Sequence, residues 1–248
     1  MIKLKTEKEI ELIKQSGRII AEIFKEIKNK IKEGVTTEEL DEQIDKFIRK
    51  KGACSAFKNY RGYPKSCCIS VNEEVVHGIP SPDRKIKEGD IVSIDIGVNL
   101  NGYIADAAKT FPVGKISKEK ERLLKVTEEA LYKGIQQMRV GKRVGDISYA
   151  IQTWVEKHGF SVVKELFGHG VGYSLHEDPP VPNFGKANQG ELLREGIVLA
   201  IEPMVNAGKD RVKVLSNGWT VVTLDGKPSA HFEHTVAIVN GRPKILTI

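Results

Sequence analysis

The sequence lacks a disulfide framework. Its three cysteines, Cys54, Cys67 and Cys68, are odd in number and two are adjacent, without the CxxC spacing of a zinc site. This argues against a disulfide-stapled secreted module and a thiolate-bound structural zinc, and reduced thiols are expected. Long apolar runs are missing as well: none approaches the ~20 residues that span a bilayer, and the opening MIKLKTEKEIELIKQ is charged rather than signal-like. The expected compartment is the cytoplasm, with no membrane partner. Aromatic residues make up only 6% of the chain, and there is no basic block or RNA-binding aromatic motif. The formal charge of +6 comes from lysines interleaved with glutamates along amphipathic segments. That pattern speaks against a specific nucleic-acid site and for a mildly basic surface, suited to loose association near a polyanion such as the ribosome.

What is present is an ordinary globular composition, 40% hydrophobic and 29% charged over 248 residues, sufficient for a sizeable core. Thr6 with Glu9 predicts a capping box opening a helix that runs towards Gly34, with Leu12, Ile19, Ile20, Ile23, Phe24, Ile27 and Ile31 as its apolar stripe. Thr36 with Glu39 opens a second helix ending near Gly52. Strands are expected around 67–76 and 90–111, helices over 118–139 and 145–158, and mostly strands from 160 onwards.

That repeated order prompts a search for duplication. A shift of 107 lays Gly34 on Gly141, Gly52 on Gly159 and Gly89 on Gly196. It also lays Leu40, Ile44, Phe47 and Ile48 on Ile147, Ile151, Trp154 and Val155, and EGDIVSID on EGIVLAIE, so that Asp95 falls on Glu202. With gaps in loop-like sequence, His77 pairs with His176 and Asp106 with Glu233. Each half thus supplies two carboxylates and one histidine. The expectation is one domain over 1–248, with halves 1–115 and 116–248 related by a pseudo-two-fold axis and the site on that axis.

The carboxylates pose a burial problem. Glu202 sits in GIVLAIEPMV and Glu233 in SAHFEHTVAIV, runs that otherwise read as core; a lone buried carboxylate costs several kcal/mol or takes up a proton. Asp95 and Asp106 flank NLNG, a hairpin signal. A two-residue turn at Asn101-Gly102 pairs positions whose numbers sum to 203 and makes the two acids diagonal neighbours; a four-residue loop gives 201 and sets them opposite. In both registers they share a face. A solvated polar face suits Asp106 tolerably and Asp95 poorly. His169, in LFGHGVGY, reads alone as a loop histidine, but its flanking glycines allow a close approach.

Four carboxylates and one imidazole balance two divalent cations, as in a dinuclear site with metals ~3.5–4 Å apart. Oxygen-rich ligation with one nitrogen points to Mn, Fe, Co or Zn and to a water made acidic enough to attack, hence a hydrolase. A purely structural metal site closing the two halves is the plainer alternative.

GYPKSCCISVNEEVVHGIP, GDIVSIDIG, DAAKTF, GHGVGYSLHEDPPVPN, IEPMV and NGWTVVTLDGKPSAHFEHTV occur in order and correctly spaced. Through them the chain resembles type I methionine aminopeptidases over essentially its whole length. The resemblance implies the α/β (α+β) pita-bread fold, a single domain of two related halves with a mixed or antiparallel sheet covered by helices. It also implies removal of the initiator methionine from nascent proteins, with a small second residue preferred. By resemblance Asp95, Asp106, His169, Glu202 and Glu233 hold two divalent ions, Asp106 and Glu233 bridging, with Glu202 also the general base. His176 would bind the scissile carbonyl oxygen, and His77 the scissile amide side. Tyr60, Tyr63, Cys68, His77 and Trp219 would line the methionine pocket, with Cys68 packing rather than attacking. A monovalent cation near Asn72 and Ser229 is implied too. The partners would be nascent N-termini, met at the ribosome, and the protein a monomer. Leu175 stands where bacterial relatives commonly have Phe, and Phe57 where a Cys can occur, which bears on pocket shape. A proline-specific aminopeptidase or prolidase of the same fold is the enzymatic rival, and a non-catalytic peptide-binding pita-bread module the other.

Overall fold

Both expected capping boxes form. In the computed structural model, which describes residues 2–248, helix α1 spans Glu7–Ile27 and α2 spans Thr37–Lys50, each with its N-cap threonine accepting from the N3 amide while the N3 glutamate accepts from the N-cap amide. Helix α1 buries Ile10, Ile13, Ile20 and Ile23 along one stripe and stops at Ile27 rather than near Gly34. The polar run Lys28-Asn29-Lys30 has nothing to bury. The chain turns there, and Gly34 donates its amide to the Ile86 carbonyl at 2.9 Å. Helices α3 (Lys118–Ile135) and α4 (Val144–Lys157) follow, α3 ending four residues before the expected 139, with Met138 buried from a loop.

The interval of 107 recurs in three dimensions. The N-caps of α2 and α4 are Thr36 and Arg143, and each makes a β-bridge, to Lys85 and to Leu192. Gly141 donates to Leu193 as Gly34 does to Ile86, and the two glycines share a left-handed φ of 87° and 86°.

Every strand pairing among the described residues is antiparallel. A four-stranded sheet joins Cys54–Ser55, Ile91–Leu100, Cys68–Val71 and Tyr103–Pro112; a five-stranded sheet joins Arg242–Ile245, His234–Val239, Val198–Ile201, Phe167–Gly170 and Glu177–Pro182. One apolar core packs α1 and α2 on the first sheet, and a second packs α3 and α4 on strands of the other half. Between the long strands, Asn101 and Gly102 both have positive φ, 55° and 86°, as a type I′ turn requires. The register is therefore the 203 one: Asp95 faces Ala108 and Gly97 faces Asp106, so the two acids are diagonal neighbours.

The runs expected to be continuous strands are broken. Residues 67–76 form Cys68–Val71 and Glu74–Val76, parted by left-handed Asn72 at φ 56°. Glu202-Pro203 interrupts Val198–Ile201 and Met204–Asn206, and Phe232-Glu233 interrupts Ser229–His231 and His234–Val239. At both breaks the chain leaves one sheet for another. Pro203 has no amide to give a ladder, and each glutamate, lying between two strands, turns inward.

The N-terminal segment is part of the architecture. Lys5 donates its amide to Gly196 O at 2.7 Å, and its Nζ lies 2.5 Å from Glu177 Oε2, with the side chains 1% and 5% exposed. Glu177 Oε1 accepts from the Tyr173 and Ser174 amides at 2.7 and 2.9 Å, so this buried pair ties the N-terminal segment to the loop that carries His176. Removing one partner of a buried pair costs about 3–5 kcal/mol. Lys5→Met is expected to lower the melting temperature by about 6–20 °C in a thermal melt, at roughly 2–4 °C per kcal/mol for a chain of this size.

Candidate metal centre

The strand breaks and the hairpin aim carboxylates at one place. Asp106, on Tyr103–Pro112, is stitched to the other half: its amide donates to Thr235 Oγ1 at 2.8 Å, and that hydroxyl donates to the Asp106 carbonyl at 2.7 Å. Glu233 donates its amide to Ala108 O at 2.9 Å, and the Glu202 carbonyl accepts from Asn183 Nδ2 at 3.0 Å. Ligand atoms of Asp106, His169 and Glu233 all lie within 4.8 Å of one another, and the three residues are buried. Asp95 and Glu202 line the same pocket, which has a volume of about 200 Å³. His169 Nε2 stands 3.6 Å from Glu202 Oε1 and 4.0 Å from Asp106 Oδ2.

These residues fit divalent cations. Asp95 Oδ1, Asp106 Oδ1 and Glu233 Oε1 are buried with no hydrogen-bond partner, an expensive arrangement unless a cation is the partner. His169 Nδ1 lies 2.9 Å from Gly170 O; donating there leaves the Nε2 lone pair facing the carboxylates, the tautomer a metal-ligating imidazole adopts. Burial, and then the neighbouring acids, push the Asp95 and Glu233 carboxyls well up. Burial also raises Asp106, to about 6, against the opposing pull of the His169 imidazole. Burial works on Glu202 in the same direction, but the His231, His169 and His77 imidazoles outweigh it and hold that carboxyl below its ordinary value. Glu202 is thus the one acid of the four whose carboxyl is lowered rather than raised.

His77 follows Glu74–Val76 at a positive φ of 58°, a costly conformation for a non-glycine residue. Closely packed backbone holds it: Gly78 O accepts from Ile69 N at 2.9 Å and from Tyr63 Oη at 3.0 Å. Its pKa is lowered, chiefly by burial. His176 stands at the pocket mouth with its ring centroid 4.2 Å from that of His169, and Tyr60 Oη lies 2.9 Å from its Nδ1. Burial and then the His169 imidazole lower its pKa to about 4, so the ring is neutral at pH 7.

Tyr60, Tyr63, Cys68, His77 and Trp219 line the same pocket, Tyr63 and Trp219 edge to face at 5.1 Å. Burial pushes the Cys68 thiol well up, which leaves it a packing group rather than a thiolate. Phe57 and Leu175 both border this pocket. Sequence reasoning missed His231, whose Nε2 lies 3.5 Å from Glu202 Oε2 and finds no aligned hydrogen-bond partner. The signal for it was its position two residues before Glu233 on one strand face.

The chain matches the model of metallopeptidase family M24 over residues 11–240. It is 55% identical to methionine aminopeptidase 1 of Bacillus subtilis strain 168 over 247 residues, covering 100% of this chain and 99% of that protein. A crystal structure of methionine aminopeptidase from Rickettsia prowazekii superposes with a TM-score of 0.98 at 41% identity, covering 100% of both chains. That of Thermotoga maritima gives 0.98 at 45%, covering 100% and 99%.

Proposed function

The chain belongs to metallopeptidase family M24, and from that premise we propose that it removes the initiator methionine from the N-termini of nascent proteins and peptides, with a small second residue preferred. The observation that carries the reading is a cluster of buried acids and one imidazole at the end of a sulfur- and aromatic-lined pocket. Full-length agreement with enzymes named for methionine supports the substrate.

A metallopeptidase of this family works with divalent metal ions. In our reading Asp95, Asp106, His169, Glu202 and Glu233 hold two of them, and this oxygen-rich set suits Co, Mn, Fe or Zn. Bound there, the ions supply an acidified water and a Lewis-acid contact for the scissile carbonyl. Glu202, the acid whose carboxyl is held below its ordinary value, takes a proton from the attacking water and returns it to the leaving amine. In the tautomer in which Tyr60 Oη donates to Nδ1, 2.9 Å away, His176 carries its proton on Nε2 and would donate it towards the developing oxyanion. His77 addresses the amide side. Tyr63, Cys68 and Trp219 give the methionine thioether an apolar, polarizable seat.

A monovalent cation near Asn72 and Ser229 would share its site with a lysine. Lys120 Nζ already lies 2.8 Å from Asn72 Oδ1 and 2.6 Å from Gly89 O and supplies a positive charge there. The proposal also takes residues 1–248 as one metallopeptidase domain, with halves 1–115 and 116–248. We place it in the cytoplasm as a monomer acting on chains emerging from the ribosome; no described helix is long and apolar enough to cross a membrane.

Cleavage of Met-Ala and Met-Gly peptides against Xaa-Pro peptides, over a panel of divalent metals, tests the reading. Met peptides are expected to be cleaved at least tenfold better, because a site shaped around one side chain distinguishes substrates by ~1–3 kcal/mol. Preferential Xaa-Pro cleavage would overturn it.

A further inference from the structure

Arg61 occupies an unusual place. It lines the mouth of the pocket, is exposed, and has a left-handed φ of 50° inside the short 3-10 turn Tyr60–Gly62. Such a conformation costs a long-chain residue about 1–3 kcal/mol and clusters at functional sites. Asn59 before it, at φ 68°, is left-handed too, and the turn is closed by Asn59 N donating to Tyr63 O at 2.8 Å. The guanidinium forms no ion pair with any described carboxylate; it lies over the Tyr60 ring, 5.4 Å from centroid to Cζ. Tyr60 in turn reaches His176 Nδ1. Phe167, 45% exposed, lines the same pocket.

We propose that Arg61 forms a subsite for an acidic side chain downstream of the cleaved bond, a reading that rests on the peptidase function above. In that reading His176 marks the scissile carbonyl, and the guanidinium packs on the phenol ring that reaches His176. An extended peptide advances about 3.3 Å per residue, so the side chain that meets Arg61 belongs to the third or fourth residue of the substrate. With no carboxylate of its own to satisfy it, the guanidinium selects Glu or Asp there over Gln and Lys. The contact is solvent-exposed and remote from the reacting atoms, so it acts on KM rather than kcat.

The test is steady-state cleavage of Met-Ala-Xaa-Leu and Met-Ala-Ala-Xaa amides with Xaa Glu, Gln or Lys, by the metal-loaded wild type, Arg61→Gln and Arg61→Glu. For the wild type, KM for Glu is expected about two- to fivefold below that for Gln, the range of an exposed ion pair, and the difference shrinks in 0.5 M salt. Arg61→Gln brings the Glu:Gln ratio to near one, and Arg61→Glu reverses the order of Glu and Lys. A wild type indifferent to Xaa, or a ratio that persists in Arg61→Gln, would overturn the subsite. A KM rise equal for all peptides in Arg61→Gln would also overturn it, assigning Arg61 to the peptide backbone. If no methionyl peptide is cleaved at all, the peptidase reading itself falls and takes the subsite with it.

Discussion

Glu202→Gln is expected to lower kcat/KM on a methionyl peptide by about 10²–10⁴ while leaving the protein folded, the range for loss of a positioned general base. The substitution keeps side-chain volume and leaves the backbone anchor from Asn183 Nδ2 to the Glu202 carbonyl in place. What disappears is the one carboxylate in the cluster held below its ordinary value by the surrounding imidazoles. An amide accepts no proton and binds a divalent cation poorly. Circular dichroism and a thermal melt would establish the fold, and peptide cleavage the loss. Unchanged activity would rule out Glu202 as the base.

Removing metal with a chelator is expected to give a folded, inactive protein that regains activity with Co, Mn or Fe. The two apolar cores and the antiparallel sheets do not depend on the ions, so the apo form keeps its fold but holds acids that repel one another. Its stability should then depend on pH in a definite sense. The folded-state pKa values of Asp95, Asp106 and Glu233 lie above the ordinary carboxylate value, Asp106 at about 6. Their contribution is fully present below the unfolded value of about 4 and is lost as pH rises through the folded values. The apo protein is expected to melt at a higher temperature at pH 5 than at pH 8 as far as these groups decide, and the metal-loaded protein to lose this trend. Unfolding on chelation, with no activity specific to the restored ion, would favour a purely structural metal site.

Much of this centre was legible in the chain. Glu39 three residues after Thr36 specifies a capping box because the reciprocal contacts are local. Asn101-Gly102 selects a tight turn because both positions must take positive φ, and that turn sets Asp95 diagonal to Asp106. The 107-residue interval links Asp95 to Glu202 because a repeated unit buries the same positions twice. Other features depend on partners far away in sequence. The turn after helix α1 is fixed where Gly34 docks on the Ile86 carbonyl. His231 meets Glu202 because Met204 pairs with His231 across the strand break.

The sequence by itself determined the local conformations, the acids that need a counter-charge and the family to which they belong, since caps, turns and periodicity act over a few residues. Only the tertiary structure decided which acid's pKa is lowered rather than raised, which carbonyl the His169 ring faces and that Arg61 stands at the pocket mouth without an ion pair. Those properties arise from burial and from charges that segments distant in the chain bring within a few ångströms of one another, where desolvation and Coulomb interactions are strongest.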